Sequence, residues 1–334
     1  MKHFLRIALS FALSAVFLWI AVRGVSWAET SAALREARWL YMIPIAGVGI
    51  GSLYLRALRW GVLLAPLARI DNRSLFSATA IGFAANMLLP LRAGEVLRPW
   101  FLARKHGLPL PQTIATVAIE RLFDMATLLL FFGVATLTLP LPPEWRRYGW
   151  VFLATFLGFL VMLIALQRHP ERTLSMLAVV LGVLPARLSE LISSIVRQFA
   201  DGLASLRDGS AIGLAVLYSI AIWTTLAASF GFGLTALDLP VPWVRGALSL
   251  TAIVAIAVAI PGGPGFIGMF QVGCEVGLGV YGIGKSVAFS YSVLVHVLQF
   301  SSTVVVGLYF FLKENLSLRE IREAEAPASA NDHG

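Results

Sequence analysis

The stretch Pro90-Leu-Arg-Ala-Gly94 interrupts a long apolar run, and Pro261-Gly-Gly-Pro-Gly265 interrupts a second one. A hydrophobic segment that carries polar groups follows each break, so the pattern occurs twice, over about 74–139 and about 246–312. Broken apolar segments at corresponding positions of two halves are typical of a transporter-type site near the middle of a membrane. The two breaks therefore predict a membrane protein of the transporter type, with two interrupted segments at corresponding positions.

Composition places the chain in a membrane. Of its 334 residues, 58% are hydrophobic and 13% are charged, and the mean hydropathy is +0.81. Soluble domains carry about 25% charged residues. We therefore expect an all-α, polytopic integral membrane bundle with a single transmembrane domain over 1–313. The charged and then Ala/Ser/Asn-rich tail over 314–334 is expected to be cytoplasmic and disordered.

Six apolar segments are long enough to cross about 30 Å of hydrocarbon as helices. They lie near 4–23, 39–60, 113–139, 150–167, 211–236 and 286–312. If the two broken units are re-entrant hairpins that do not cross, both termini lie on one side of the membrane. The excess of Lys and Arg on that side predicts that it is the cytoplasm. If both units cross completely, the number of spans rises to eight or more.

Three spans separate the two broken units, so the second unit enters from the face opposite to the first. This parity predicts an inverted repeat whose two hairpins meet near the centre of the bundle. Backbone groups are tolerated at that depth only when they face protein or a water-filled cavity, so a polar pocket is also predicted. The amphipathic segment at about 170–208 is expected to lie at the cytoplasmic surface.

The formal charge of +8 comes mostly from 22 arginines, against four lysines. Positive residues retain loops in the cytoplasm, and arginine also binds phosphate through its planar fork, so both interpretations stay open. The basic residues are dispersed among the spans, which argues against nucleic acid as a partner. The single cysteine, Cys274, excludes an intrachain disulfide. Metal-ligand spacings and nucleotide-binding loops are missing, so no metal and no cofactor are expected.

Charged residues interrupt the third predicted span at Glu120-Arg121-Leu-Phe-Asp124. Glu120 and Asp124 share a helix face at i, i+4. A charge at membrane depth costs on the order of 3 kcal/mol, so such groups are normally paired and face the interior. The motif predicts either an internal ion-pair network or a functional site. In a functional site, Glu120 and Asp124 relay protons or balance charge, and Arg121 contacts an anionic headgroup.

The first hairpin adds charges of its own. Arg92 and Glu95 flank Gly94, where a short helix is expected to begin, and helix N-termini attract anions. With Asn86 just before the turn and Arg98 just after it, they form a candidate cradle for a lipid phosphate. Arg92 has a second interpretation, which is to neutralise a carboxylate of the third span.

The second hairpin is almost uncharged. Pro261, Gly263 and Gly265 are expected to offer backbone groups to a substrate, because glycine permits close approach of the main chain. His296 and Gln299 lie on one polar stripe of the last span and are candidates for a proton relay. The alternative for a membrane histidine is a packing residue held by hydrogen bonds.

Arg56 and Arg59 fall near the end of the second predicted span, 39–60. Arginines at a span end are typical of topology anchors at the cytoplasmic boundary, and we interpret both residues mainly in this way. The alternative is that they turn inward and face the pocket.

Three motifs, in this order, resemble one known family. They are Asn86-Met-Leu-Leu-Pro90-Leu-Arg92-Ala-Gly94-Glu95-Val-Leu-Arg98, Glu120-Arg121-Leu-Phe-Asp124 and Ile260-Pro261-Gly-Gly-Pro-Gly265. Over roughly 5–313 the chain resembles the flippase-type transmembrane region of lysylphosphatidylglycerol synthases. The resemblance implies a bacterial inner-membrane bundle with two re-entrant hairpins that moves a lipid headgroup across the bilayer. The cavity residues that it implies are Arg92, Glu95, Glu120, Arg121 and Asp124.

This sequence differs from the full synthases in lacking their C-terminal soluble domain, which attaches the amino acid, so lysyl transfer is not expected. We expect a lipid flippase with both termini in the cytoplasm, which moves an anionic lipid or a polyprenyl-phosphate-type headgroup. A lipid-biosynthesis enzyme is a second candidate partner. Two alternatives remain open. One is an intramembrane transferase with Glu95 or Glu120 as general base, and the other is a non-transporting partner of a lipid-modifying enzyme.

Overall fold

The computed structural model describes residues 2–138, 146–169, 171–173, 175–176, 209–260 and 263–316. In these ranges the regular structure is helical throughout, as predicted. The α-helices are α1 (Lys2–Val22), α2 (Trp27–Arg35), α3 (Met42–Leu64), α4 (Asn72–Leu88), α5 (Gly94–His106), α6 (Leu110–Thr138), α7 (Arg146–Arg168), α8 (Gly209–Ala236), α9 (Trp243–Ala259), α10 (Met269–Gly279) and α11 (Lys285–Lys313). Short 3₁₀ turns are η1 (Trp39–Tyr41), η2 (Pro90–Arg92) and η3 (Pro264–Phe266).

Four helical segments in the described part of the chain are long and apolar enough to cross a membrane. They are Trp39–Leu64, Arg147–Ala165, Ser210–Ala236 and Lys285–Lys313. A fifth candidate arises if Ser10–Val22 and Trp27–Arg35, which are bent by 84°, count as one broken span. These five agree with five of the six predicted spans. The sixth, at 113–139, is part of the 29-residue helix α6, whose crossing stays a prediction because it carries three charged residues in its middle.

Each broken unit folds into a helical hairpin. In the first, α4 and α5 pack against each other on either side of η2, and in the second α9 and α10 do so around η3. The two turns are in contact with each other, and η3 also contacts α4. The expectation that two hairpins meet at their tips is therefore met in the structure. Their depth in a membrane and their relation as an inverted repeat stay predictions.

Local chemistry explains where the first hairpin begins and turns. Asp71 caps α4 by accepting a hydrogen bond from the Ser74 backbone N–H at 2.9 Å. This bond, more than any other interaction, holds the pKa of Asp71 below its usual range. At the other end, Leu89 is extended (φ −106°, ψ 147°), because the residue before a proline is disfavoured in helical conformation. Pro90 then opens the 3₁₀ turn, where its missing N–H costs nothing.

The two helices of the first hairpin cross with their backbones in contact. A Cβ atom built on Gly94 would lie 1.8 Å from the Gly82 carbonyl oxygen, and one built on Gly82 would lie 2.6 Å from the Arg98 Cβ atom. Only glycine fits at such a crossing. On the opposite face of α4, Gly307 of α11 packs equally closely against Ala84. The hairpin is thus held tightly, and its charged residues have fixed positions.

Helix α6 contacts five other helices of the described bundle, α3, α5, α7, α8 and α9. Its position between the first hairpin and α3 determines what its charged residues meet. The predicted amphipathic segment at 170–208 lies outside the described residues, apart from 171–173 and 175–176, and so does the tail beyond 316. Both stay predictions.

The Gly82–Gly94 crossing gives a first testable prediction. Gly94→Ala places a methyl group against main-chain atoms, and overpacking of this kind costs about 1–3 kcal/mol. We expect a lower midpoint of thermal unfolding in detergent. The matched control is Gly51→Ala in α3, where a Cβ meets nothing within 4 Å, and where alanine is the better helix former. Equal midpoints for the two variants would contradict the close crossing.

A candidate anion site between the first hairpin and α6

Asp124, at the centre of α6, lies among three guanidinium groups. Its Oδ1 atom is 2.8 Å from Arg59 Nη1, and its Oδ2 atom is 3.5 Å from both Arg56 Nη1 and Arg121 Nη2. From α8, the Trp223 indole N–H donates a further hydrogen bond to Oδ1 at 3.3 Å. Asp124 is only 6% exposed, so its charge is compensated inside the bundle, as buried charges require.

Glu120, one turn earlier, is held from two sides. Its Oε2 atom accepts a hydrogen bond of 2.6 Å from Arg98 Nη1, and its Oε1 atom is 3.5 Å from Arg59 Nε. Arg98 also stacks on the ring of Trp60, with its Cζ atom 3.8 Å from the ring centroid. Arg59 thus contacts both carboxylates of α6, and Arg98 joins the first hairpin to the same helix.

The interpretation of Arg56 and Arg59 as topology anchors is wrong. Arg59 is fully buried and Arg56 is 7% exposed. The predicted span ended at residue 60, whereas α3 continues to Leu64, so both arginines lie inside the helix and face α6. The spacing of three residues, which puts them on one face, was the signal that could have shown this. Ser219 of α8, whose hydroxyl accepts a 2.8 Å hydrogen bond from Arg59 Nη1, carried no such signal.

These side chains form one connected group, which we call the charged cluster. Its members are Arg56, Arg59, Arg98, Arg121, Glu95, Glu120 and Asp124. Four cations against three anions leave one positive charge in excess. The buried Nε and Nη2 atoms of Arg98 and the Nε atom of Arg121 have no hydrogen-bond partner among the described residues. The cluster therefore has donors, and a positive charge, that its own carboxylates do not use.

The two arginines that carry these donors line a small pocket between the first hairpin and α6. Its polar lining consists of Asn86, Glu95, Arg98 and Arg121. Glu95 lies 3.9 Å from Arg121, and both side chains are about one third exposed, at 33% and 36%. The pocket also reaches Gly94, where α5 begins. Four of the five substrate-binding residues predicted around the first turn, all except Arg92, thus line this pocket together with Arg121 of α6.

Arg92 lies elsewhere. Its Nη2 atom donates a 3.0 Å hydrogen bond to the Val258 carbonyl near the end of α9, and its guanidinium lies over the Phe266 ring at 5.6 Å. Arg92 and Phe266, one at each hairpin tip, both have positive φ, 56° and 57°, which is uncommon for residues other than glycine. Arg92 therefore links the two tips and does not neutralise a carboxylate of α6 in this structure.

The second hairpin uses its backbone groups to hold its own position. Gly263 N–H donates to the Ser14 hydroxyl of α1 at 2.7 Å, and the Gly265 carbonyl accepts from His296 Nε2 at 2.8 Å. Pro261 lies outside the described residues. The groups predicted to meet a substrate thus have partners within the protein, and their substrate contact stays a prediction.

The contacts of His296 favour packing over proton relay. Because a carbonyl only accepts, Nε2 carries the hydrogen that bonds to Gly265, and Nδ1 accepts from the Gln271 amide at 3.0 Å. The imidazole also stacks on Phe270, with ring centroids 4.4 Å apart. Gln299 donates to the Ser229 hydroxyl at 2.8 Å. The two relay candidates of the last span, His296 and Gln299, are therefore engaged in hydrogen bonds away from the charged cluster.

The helical bundle and its buried charged cluster define a multi-pass membrane protein with an internal polar site. Residues 7–307 match the family model of the lysylphosphatidylglycerol synthase TM region, and the chain belongs to this family. The resemblance drawn from the three motifs is thereby confirmed.

Two relatives are each 24% identical to the chain. Glycosyltransferase AglD of Haloferax volcanii aligns with 91% of this chain but with 54% of its own length, so the chain spans about half of that relative. A UPF0104 membrane protein of Methanothermobacter thermautotrophicus aligns over 93% of each chain. No solved structure gives a significant match.

The compensation of Asp124 gives a second prediction. Asp124→Asn leaves three arginines facing a neutral group, and breaking a buried ion pair costs about 3–5 kcal/mol. We expect a clear loss of unfolding free energy in a denaturant titration in mixed micelles. Glu95→Gln serves as the matched control, because its pair with Arg121 is long and partly exposed. A similar small effect of both changes would show that Asp124 is not the centre of the cluster.

Proposed function

We propose that the protein moves an anionic lipid, or a polyprenyl-phosphate-type amphiphile, across the membrane by binding its headgroup beside the charged cluster. One observation carries the proposal: Arg98 and Arg121, which line a pocket at the first hairpin, have buried donors without a partner among the described residues, in a cluster with one excess positive charge. An uncompensated charge inside a membrane protein is costly and is usually functional. A phosphate oxyanion would supply both the missing charge and the missing acceptors.

The geometry suits phosphate better than other anions of the membrane. Arginine presents a planar fork that matches two phosphate oxygens. On one edge of the Arg98 guanidinium, Nε and Nη2 have no hydrogen-bond partner in the part of the chain that the structure describes. The 13-residue helix α5 begins at Gly94, beside the pocket. The first N–H groups of a helix are unpaired and attract phosphate. The side chains of Arg98 and Arg121 and the N-terminal end of α5 thus lie beside the same pocket.

Entry of a headgroup requires movement, because the pocket is small. The tips of the two hairpins meet through Arg92, Val258 and Phe266, and these contacts are few. We propose that a headgroup separates the tips, that Arg92 exchanges its carbonyl partner for the phosphate, and that the hairpins then rock to expose the pocket on the other face. In this mechanism Glu120 and Asp124 balance the arginines while the anion arrives and leaves.

The setting proposed for this activity is a bacterial inner membrane, with both termini in the cytoplasm. The distribution of Lys and Arg between the predicted loops supports the orientation, and the family supports a membrane lipid as the partner. A lipid-biosynthesis enzyme that supplies the headgroup is a second proposed partner. The two named relatives come from archaea, so the type of lipid is not fixed by the family.

A second candidate function is group transfer to or from a lipid carrier, which the name of one relative, a glycosyltransferase, brings into consideration. A general base must reach its substrate. Glu120 is fully buried between Arg98 and Arg59, which disfavours it. Glu95 lines the pocket and is partly exposed, so it is the residue that this alternative requires.

The proposed function predicts that flipping depends on Arg121. Arg121→Gln removes a pocket guanidinium that is already 36% exposed, so the fold should survive. A hydrogen bond to a charged group contributes about 1.5–3 kcal/mol, and we expect the rate of flipping of a fluorescent phosphatidylglycerol in proteoliposomes to fall tenfold or more. The control is Arg147→Gln, whose exposed guanidinium bonds only to its neighbour Tyr148 in the contacts described.

An unchanged flipping rate in folded Arg121→Gln would contradict the proposal. The same preparations also separate the two candidate functions. Incubation with a lipid extract, followed by mass spectrometry, should show no new lipid species. New species that vanish in Glu95→Gln would identify a transferase instead.

A further inference from the structure

Glu275 is a carboxylate that the charged cluster does not use. It lies on α10, in the second hairpin, and its side chain is 11% exposed. Its Oε1 atom is buried without a hydrogen-bond partner among the described residues, and its Oε2 atom is 3.6 Å from Lys285 Nζ. At that distance the two groups attract each other but do not form a hydrogen bond. Glu275 therefore has much less compensation than Glu120 or Asp124.

Lys285 is committed mainly to α1. Its ammonium donates hydrogen bonds of 2.7 Å to the carbonyls of Ile20 and Arg23, at the C-terminal end of that helix. The last carbonyls of a helix have no partner within the helix and accept such donors. Two of the three ammonium N–H groups are used in this way. Lys285 thus stays attached to α1 whether or not Glu275 is charged.

Within the described part of the chain, Lys285 is the charged side chain that pairs with Glu275. Helix α9 meets α10 through aliphatic side chains at Gly273. Among the other titratable groups on the packed elements, Cys274 and Tyr291 are fully buried. The remaining described ones are engaged or lie further along their helices: Arg23 lies over the Trp19 ring, His296 is bonded to Gln271 and Gly265, Lys313 bonds to Tyr309, and Arg245 lies in the first turn of α9.

The second hairpin is attached to α1 at two places. At the tip, Gly263 bonds to Ser14, and Gly268 presses on the backbone of α1, where an added Cβ would lie 2.5 Å from Leu18 N. At the base, Glu275 faces Lys285, which caps α1. A change of charge on Glu275 therefore acts on the same helix that holds the tip.

We propose that Glu275 is a proton-binding site, and that its protonation releases the base of the second hairpin from the Lys285–α1 junction. A proton bound at the carboxylate removes the attraction to Lys285, whereas Lys285 keeps its two carbonyl partners. The second hairpin then has two states, which differ in whether Glu275 is held by Lys285. The further step, that this proton drives headgroup movement, rests on the proposed function.

The proton site can be measured without transport. Full-length protein in lipid nanodiscs is titrated from about pH 9 to about pH 4, a window that covers exposed and buried carboxyl groups alike, and infrared difference spectra are recorded. We expect a narrow carbonyl band from a carboxylic acid in an apolar setting, and its loss in Glu275→Gln. Glu29→Gln, at an exposed position of α2, should keep the band. Persistence of the band in Glu275→Gln would overturn the proposal.

Two variants of Lys285 test its role as the partner of Glu275. Lys285→Met removes the nearest charge and should shift the transition along the pH axis, whereas Lys285→Arg should leave it close to its original position. If the transition occurs at the same pH in Lys285→Met as in the unmodified protein, the Glu275–Lys285 pair does not determine proton binding at this site.

Coupling is tested separately in proteoliposomes. With an imposed pH gradient, the unmodified protein should flip fluorescent phosphatidylglycerol faster than without one. Glu275→Gln should flip at one rate under both conditions. A gradient response that survives in Glu275→Gln would overturn the coupling step. Loss of the infrared band without any flipping by the unmodified protein would support the proton site and overturn the proposed function.

Discussion

The guanidinium of Arg59 is the group on which the rest of this structure depends. It is fully buried and contacts both Glu120 and Asp124, so it joins α3 to α6 through two carboxylates at once. Isolated ions inside a membrane protein are expensive, and Arg59 compensates part of the charge of both carboxylates. Arg98 completes the pairing of Glu120, and Arg56 and Arg121 complete that of Asp124. The packing of α6 against α3 follows from this constraint. So does the position of the first hairpin, because Arg98 approaches the same Glu120 from α5.

The two hairpins have similar turns but differ in the groups that hold them in place. Both turn at a proline-led 3₁₀ segment, and both carry one residue other than glycine with positive φ at the tip. The first brings charged side chains to α6, with its helices crossing at Gly82 and Gly94. The second has its backbone held by Ser14 and His296. The first hairpin thus carries the charged side chains that meet α6, whereas the second is held to α1 and α11 through its main chain.

Much of the architecture was predictable from the residues. The apolar segments located five candidate spans, because about twenty apolar residues in a row have one stable conformation in lipid. The proline and glycine motifs located both turns, because a missing N–H and a missing Cβ act locally. The charges of Glu120, Arg121 and Asp124 were expected to be paired inside the bundle, because the cost of an unpaired charge in hydrocarbon does not depend on the partner's identity. The family followed from the same motifs and is confirmed.

The sequence by itself therefore determined a helical membrane bundle, two broken units and a buried charged site. Only the tertiary structure decided which groups each charged side chain contacts. The end of a helix cannot be predicted from the sequence to better than about one turn. An error of one turn was enough to place Arg56 and Arg59 at the membrane boundary, whereas they form ion pairs inside the bundle. Arg92 reaches the second hairpin instead of α6, and Lys285 reaches α1 instead of fully neutralising Glu275. Such choices depend on which helices become neighbours, and that is a property of packing over the whole chain.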